Sequence, residues 1–300
     1  MLTQPNLRRL YVHKVHDGRV VRERDVLAVE EPLEIRVASD AGVHQVAVIM
    51  RTPGEDFELA AGFLFGEGLL YSWEQIGEIR YCCDDDPAFA TKANYASDWV
   101  ERASGAARYN IVTVHLRPGV RFDAARIQRN FYATSSCGVC GKASLESLEL
   151  RGCAPLARDA FCVESSVISR LDAALRSQQS LFAKTGGLHA AALFDGEGHL
   201  LALHEDVGRH SALDKLIGRR LLDHQLPISR HLVMVSGRAS FEIMQKALMA
   251  RAPVVAAVGA PSSLAVELAQ AFNMTLIGFV RGARFNIYAG EWRVAYAGAN

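Results

Sequence analysis

The chain lacks the features that would mark it for a membrane, an oxidising compartment or a nucleic-acid partner. Although half of its 300 residues are apolar, no uninterrupted apolar run approaches the roughly 20 residues that a bilayer-spanning helix needs. Its opening residues, Met1 to Asn6, show no charged region followed by an apolar run and a cleavage site, so a soluble cytoplasmic protein is expected. Six cysteines are too few for a disulfide scaffold in a chain of this length, and a reducing compartment would keep them as thiols. Net charge is missing too, because 33 Lys and Arg face 33 Asp and Glu. Residues 201–300 hold eleven basic against seven acidic side chains, an excess that hints at an anionic ligand. That excess is distributed and does not form the strongly basic stripe of a nucleic-acid binder. Internal repeats and low-complexity tracts are absent.

What is present most distinctively is Ser136-Cys137-Gly138-Val139-Cys140-Gly141-Lys142. Two thiols three residues apart can form a disulfide, share a metal, or hand a sulfur atom between them. A neighbouring cation favours thiolate, the reactive form. Zinc is the weaker alternative, since Cys153 and Cys162 follow at spacings too long for a second pair of ligands. Cys82 and Cys83 precede Asp84-Asp85-Asp86 in a stretch that reads as a solvated loop, so they are expected to be structural or incidental. The segment around Cys137 is rich in Ser, Thr and Gly, which suits a mobile loop better than a core.

Periodicity divides the chain. Leu33 to Val37 and Val46 to Met50 alternate apolar and polar residues as half-buried strands do, Glu55 to Leu64 has acids first and then helical apolar spacing, and Tyr109 to Leu116 returns to strand. This predicts an N-terminal α+β domain over 1–125, followed by a linker over 126–163 that carries the CxxC loop. Over 164–300 strands and helices alternate: helix at 164–182, strands at 188–194 and 200–204, helix at 209–222, strand at 232–235, helix at 241–250. Strand at 254–258, helix at 264–272 and strands at 275–280 and 284–288 complete a layered α/β domain.

Three turns of this second domain suit an anion. Ser236-Gly237-Arg238-Ala239-Ser240 lies between a strand and a helix, where free backbone N–H groups, hydroxyls and a guanidinium can converge. Ala260-Pro261-Ser262-Ser263 repeats the design, with helix capping as the plainer role for its serines. Phe279-Val280-Arg281-Gly282-Ala283-Arg284 sets two arginines around a glycine after the last core strand, where ligands of open α/β sheets tend to sit. His189, Asp206 and His210 could serve acid–base or metal chemistry or be structural. Zinc deamination is unlike this chain, because Ala191 stands where a catalytic Glu would follow the histidine and no further CxxC comes after it.

Six blocks in order, Thr134 to Glu146, Thr185 to Leu193, Glu205 to Lys215, Ser236 to Lys246, Ala260 to Glu267 and Phe279 to Tyr288, resemble the formate dehydrogenase accessory sulfurtransferases, the FdhD family. Arg51 to Asp56 and Ala61 to Leu64 are compatible with it, and Ser211 stands where asparagine would be expected. The resemblance implies a C-terminal three-layer, cytidine-deaminase-like α/β domain with a smaller N-terminal α+β domain, and a homodimer. It implies a sulfur carrier that accepts persulfide sulfur from a cysteine desulfurase on Cys137. The sulfur would pass to the molybdenum cofactor of formate dehydrogenase, molybdenum bis(molybdopterin guanine dinucleotide), which is the bound substrate and which a guanine nucleotide would mimic. Phe279, Val280, Arg281, Gly282, Ala283 and Arg284 are then the cofactor-binding stretch, with no structural metal, membrane or nucleic acid involved. Whether Cys140 resolves, relays or only supports is open. A thiol–disulfide redox protein and a non-catalytic chaperone for the cofactor or the apo-enzyme are the competing functions.

Overall fold

A computed structural model of the chain describes residues 6–82, 109–123, 148, 153–159 and 161–296. The chain opens with strands β1 (Leu7–His16) and β2 (Arg19–Ala28), which pair only with each other in an antiparallel ribbon. Strands β3 (Glu31–Ser39), β4 (Gly42–Arg51), β5 (Ile76–Tyr81) and β6 (Ile111–Leu116) form a second sheet in the order β4-β3-β6-β5. Alternation along β3 buries Leu33, Ile35 and Val37 completely, as a one-sided strand requires. Helix α1 (Asp56–Gly66) carries no polar stripe: every residue from Leu59 to Gly66 is buried, the pattern of a helix covered on all sides.

The larger sheet explains that covering. Strands β8 (His189–Phe194), β9 (Leu200–Asp206), β10 (Leu232–Val235), β11 (Val254–Ala257), β12 (Thr275–Arg281) and β13 (Arg284–Ala289) lie in the order β13-β12-β11-β10-β8-β9. The central β10, β11 and β12 are parallel, while β8, β9 and β13 run against their neighbours. Successive residues serve opposite faces. Ala191, Leu193, Val233, Val235, Val255 and Ala257 join one apolar cluster, and Ala190, Ala192, Phe194, Leu232, Met234 and Val254 join another. Helix α2 (Ser165–Gln178) covers the second cluster through Ile168 and Leu171. Helices α4 (Arg209–Leu222), α5 (Phe241–Met249) and α6 (Ser263–Ala271) cover the first through Leu213, Met244 and Leu268. Strands β7 (Val163–Glu164) and β14 (Val294–Ala295) close a small parallel pair beside this sheet.

Helix α1 is wedged between the four-stranded sheet and α4, and two glycines make the approach possible. A Cβ on Gly62 would lie 1.9 Å from the Asp214 carbonyl oxygen, and one on Gly218 would lie 1.8 Å from that of Glu58. The first apolar cluster therefore runs from Leu33 of the small sheet to Leu276 of the large one.

Two elements differ from expectation. The helix read over 164–182 breaks at Gln179, and a short α3 (Ser180–Thr185) begins anew. The break lets the amides of Leu181 and Phe182 donate to the buried Glu205 carboxylate at 2.9 and 2.7 Å. Strand β5 carries no period-2 apolar signal, because Gly77 and Glu78 interrupt it. It exists because β6 supplies its hydrogen bonds and because Ser72 and Gln75 form a capping box just before it.

Candidate anion site at the strand ends

The parallel strands β10, β11 and β12 end on one edge of the large sheet, and the antiparallel β8 begins there. Asp206, the last residue of β9, is paired with His189, the first of β8. The turns after the strands are stitched together by backbone: Gly259 N–H donates to Gly237 at 3.0 Å, and Phe279 N–H donates to Gly259 at 3.2 Å. Such closeness needs glycine, since a Cβ on Gly259 would lie 2.9 Å from the Gly237 oxygen and 3.1 Å from the Cα of Arg238. The three turns expected to suit an anion are thus neighbours.

Their serines divide by role. Ser262 is a helix cap, accepting from the Ala265 amide at 3.2 Å. Ser236 accepts from the Ala190 amide at 2.9 Å and its Oγ stands 3.5 Å from His189 Nδ1. Ser240 precedes α5 without capping it; its Oγ lies 3.3 Å from His210 Nε2, which also reaches Glu242 at 2.9 Å. His189, Ser236, Gly186 and Gly187 line a cleft of about 350 Å³ against α2. Burial lowers the His189 pKa below its ordinary value, and the Arg209 and His210 charges lower it further. The Asp206 carboxylate opposes them, so the direction is set by burial and the neighbouring cations.

The loop after β9 is fixed by a buried ion pair. Lys215 Nζ lies 2.8 Å from Asp206 Oδ2, and both side chains are almost wholly buried. The same carboxylate accepts the amides of Gly208 at 2.8 Å and Thr52 at 3.1 Å, while Lys215 also donates to the Thr52 carbonyl at 3.0 Å. Burial pushes the Asp206 carboxyl above its ordinary range, against the pull of Lys215. Thr52 itself follows a buried bidentate pair, in which Arg51 holds Asp56 at 2.9 and 3.0 Å. The small sheet thus anchors a loop of the large one.

At the far end of the edge, Phe279, Arg281, Gly282, Ala283 and Arg284 are exposed, whereas Val280 is fully buried in the core. Phe279 has φ of 55°, a left-handed backbone that is costly for a bulky residue, and it sits where the β12–β13 register shifts. The bulge turns the ring outward while Val280 stays inside. Arg281 and Arg284 face each other across the turn as a register pair. Exposed ring, paired guanidiniums and adjacent turn amides fit a ligand with phosphate groups and a planar base.

Cys137 and Cys140 lie outside the described residues. Among the other cysteines, Cys153 Sγ lies 3.2 Å from Met249 Sδ and Cys162 Sγ lies 3.4 Å from the Trp292 carbonyl oxygen. Sequence reasoning assigned no role to Thr52 or Lys215. The available signal was a lysine in mid-helix between Asp214 and Leu216, within a run that is buried from Ser211 to Gly218.

Fold and site together define an α/β protein whose strand-end turns lie side by side and carry serines, histidines and arginines. The chain belongs to the FdhD/NarQ family, whose model matches residues 28–295. It is 47% identical over 289 residues to the sulfur carrier protein FdhD of Streptomyces coelicolor, covering 96% of this chain and 95% of that one. The protein of the same description from Saccharolobus solfataricus is 37% identical over 290 residues, with 96% and 98% covered. The crystal structure of a Desulfotalea psychrophila protein, assigned as a formate dehydrogenase accessory protein, superposes with a TM-score of 0.70 at 24% identity. It covers 97% of this chain and 100% of that one, which shows the fold.

Proposed function

We propose that this chain is a sulfur carrier that takes persulfide sulfur from a cysteine desulfurase and delivers it to the molybdenum cofactor of formate dehydrogenase. The observation that carries this reading is the near full-length likeness, at 47% identity, to a protein described as a sulfur carrier. In the reading, Cys137 as thiolate attacks the outer sulfur of the desulfurase persulfide. The desulfurase cysteine leaves as a thiolate, and Cys137 holds the terminal sulfur. Attack by Cys140 on the inner sulfur would release that terminal sulfur as sulfide, with two electrons supplied as the two thiols become a disulfide. Lys142 would favour the anionic forms.

The substrate of the second step is molybdenum bis(molybdopterin guanine dinucleotide). Arg281 and Arg284 would hold its pyrophosphate, and the outward ring of Phe279 would stack on a guanine. Val280 would keep that turn anchored. The helices on both faces of the large sheet, and the hairpin β8–β9 beside three parallel strands, support a cytidine-deaminase-like layering of residues 164–300. Ala190 and Ala191 are buried in the core and offer no metal or acid–base group. A soluble, cytoplasmic homodimer is part of the same reading.

One double variant separates the steps. Arg281→Gln with Arg284→Gln is expected to weaken GDP binding about tenfold or more in titration calorimetry, through loss of charge-assisted hydrogen bonds. Sulfur loading of Cys137 is expected to be unchanged. GDP affinity equal to that of the wild type would remove the turn from the site.

A further inference from the structure

The β1–β2 ribbon ends at Ala28, the residue where the family match begins, and the strand-end site leaves it without a role. Each strand has ten residues, so the ribbon extends roughly 30 Å at about 3.3 Å per residue. A two-stranded ribbon is marginal in water unless something packs on it. Its base is tied by the Val29 amide to the Asn6 carbonyl at 2.9 Å and helix α3 packs against β2, but Tyr11, Val15 and Val20 stay exposed at 52%, 64% and 63%.

The pairing register sorts the charges onto two unlike faces. On one face Lys14 pairs with Glu23 at 3.4 Å, Asp25 adds a second acid, and Arg8 and Arg19 bring the bases to three. The other face holds Arg9, His13, Arg22 and Arg24 with Tyr11, Val15 and Val20, and carries no acidic residue. None of its three arginines lies within 4.0 Å of a carboxylate among the described residues; Arg22 and Arg24 turn instead to the Tyr11 ring, 4.6 and 5.5 Å from its centroid. Arg22 and Arg24 bring two like charges to one ring, with Arg9 on the same face, and an acidic surface would offset their repulsion. Valines interleaved with the arginines suit a protein partner, where apolar contact and ion pairs alternate. A nucleic acid would call for a broader basic surface.

Resting on the sulfur-carrier reading, we propose that this acid-free face of the ribbon docks an acidic, partly apolar surface of a protein in the sulfur-transfer cycle. The test compares the full-length wild type with Arg9→Ser/Arg22→Ser/Arg24→Ser and with the corresponding triple Lys variant. Binding to an immobilised cysteine desulfurase and to apo-formate dehydrogenase is measured at several salt concentrations. For at least one of these proteins, wild-type affinity should fall with salt, the Ser variant should bind at least about tenfold more weakly, and the Lys variant should bind close to wild type. Salt-independent affinity, or unchanged affinity of the Ser variant for both proteins, overturns the proposal. Capture of labelled duplex DNA through the same arginines, or a dimer that the Ser variant dissociates, overturns it in favour of a nucleic acid or a second copy. Sulfur gain on Cys137 is read separately. Its absence with ribbon-dependent binding intact sinks only the carrier reading, whereas normal gain with unaltered binding sinks only the docking face.

Discussion

Two buried lysines show how single side chains hold this molecule. Lys215 is paired with Asp206 inside the joint between the sheets, and replacing it by methionine would leave a buried carboxylate without its cation. Lys215→Met is therefore expected to cost about 3–5 kcal/mol in urea denaturation, with the loop at Gly208 losing its anchor. Lys246 lies 2.8 Å from Asp214 and 3.5 Å from Glu67. Burial raises the Asp214 pKa to about 6 from an ordinary 3.8, against the pull of Lys246, with Glu67 raising it further. Between those values the folded state holds a proton that the unfolded chain has released, so this group's contribution to stability falls as pH rises. Relative to Asp214→Asn, the wild type should lose stability from pH 4 to pH 6, measured as a falling urea midpoint; a constant difference would contradict the buried carboxyl.

At the scale of elements, the sequence was most legible where burial is one-sided or total. The bounds of α4 are readable because its apolar positions follow the helical period, and those of β10 because it is a continuous apolar run between His231 and Ser236. Strand β5 was not readable, since its apolar residues are few and its partner β6 lies far downstream, with Arg80 paired to Thr113. The break at Gln179 was equally hidden, because the acid that receives the new helix's amides stands on β9. The three anion-suited turns were legible one by one, and their adjacency was not. That depends on Gly259 and Gly278, whose need for space shows only when strands are laid side by side. The same holds for α1 against α4. Gly218→Ala would drive a methyl into the Glu58 carbonyl, and overpacking of this kind costs about 1–3 kcal/mol or more. A melting temperature unchanged from wild type would show that the helices can separate freely.

For the molecule as a whole, one apolar core joins both sheets, so the small sheet serves as part of the scaffold that positions the strand ends. Thr52 makes that dependence specific by bonding both Asp206 and Lys215. The strand-end edge gathers turn amides and guanidiniums, and in the proposed function the thiol pair at Cys137 and Cys140 would supply the sulfur chemistry that this edge lacks. Carrier function requires both, because a cofactor site without a sulfur-bearing cysteine is only a chaperone, and a dithiol without an acceptor site is only a redox couple. The most direct test incubates the wild-type protein with an active cysteine desulfurase and cysteine, then examines the peptide containing Cys137 by mass spectrometry. The account predicts the gain of one sulfur atom on that peptide, reversed by a thiol reductant and absent in Cys137→Ala. No gain while the desulfurase is turning over would contradict it.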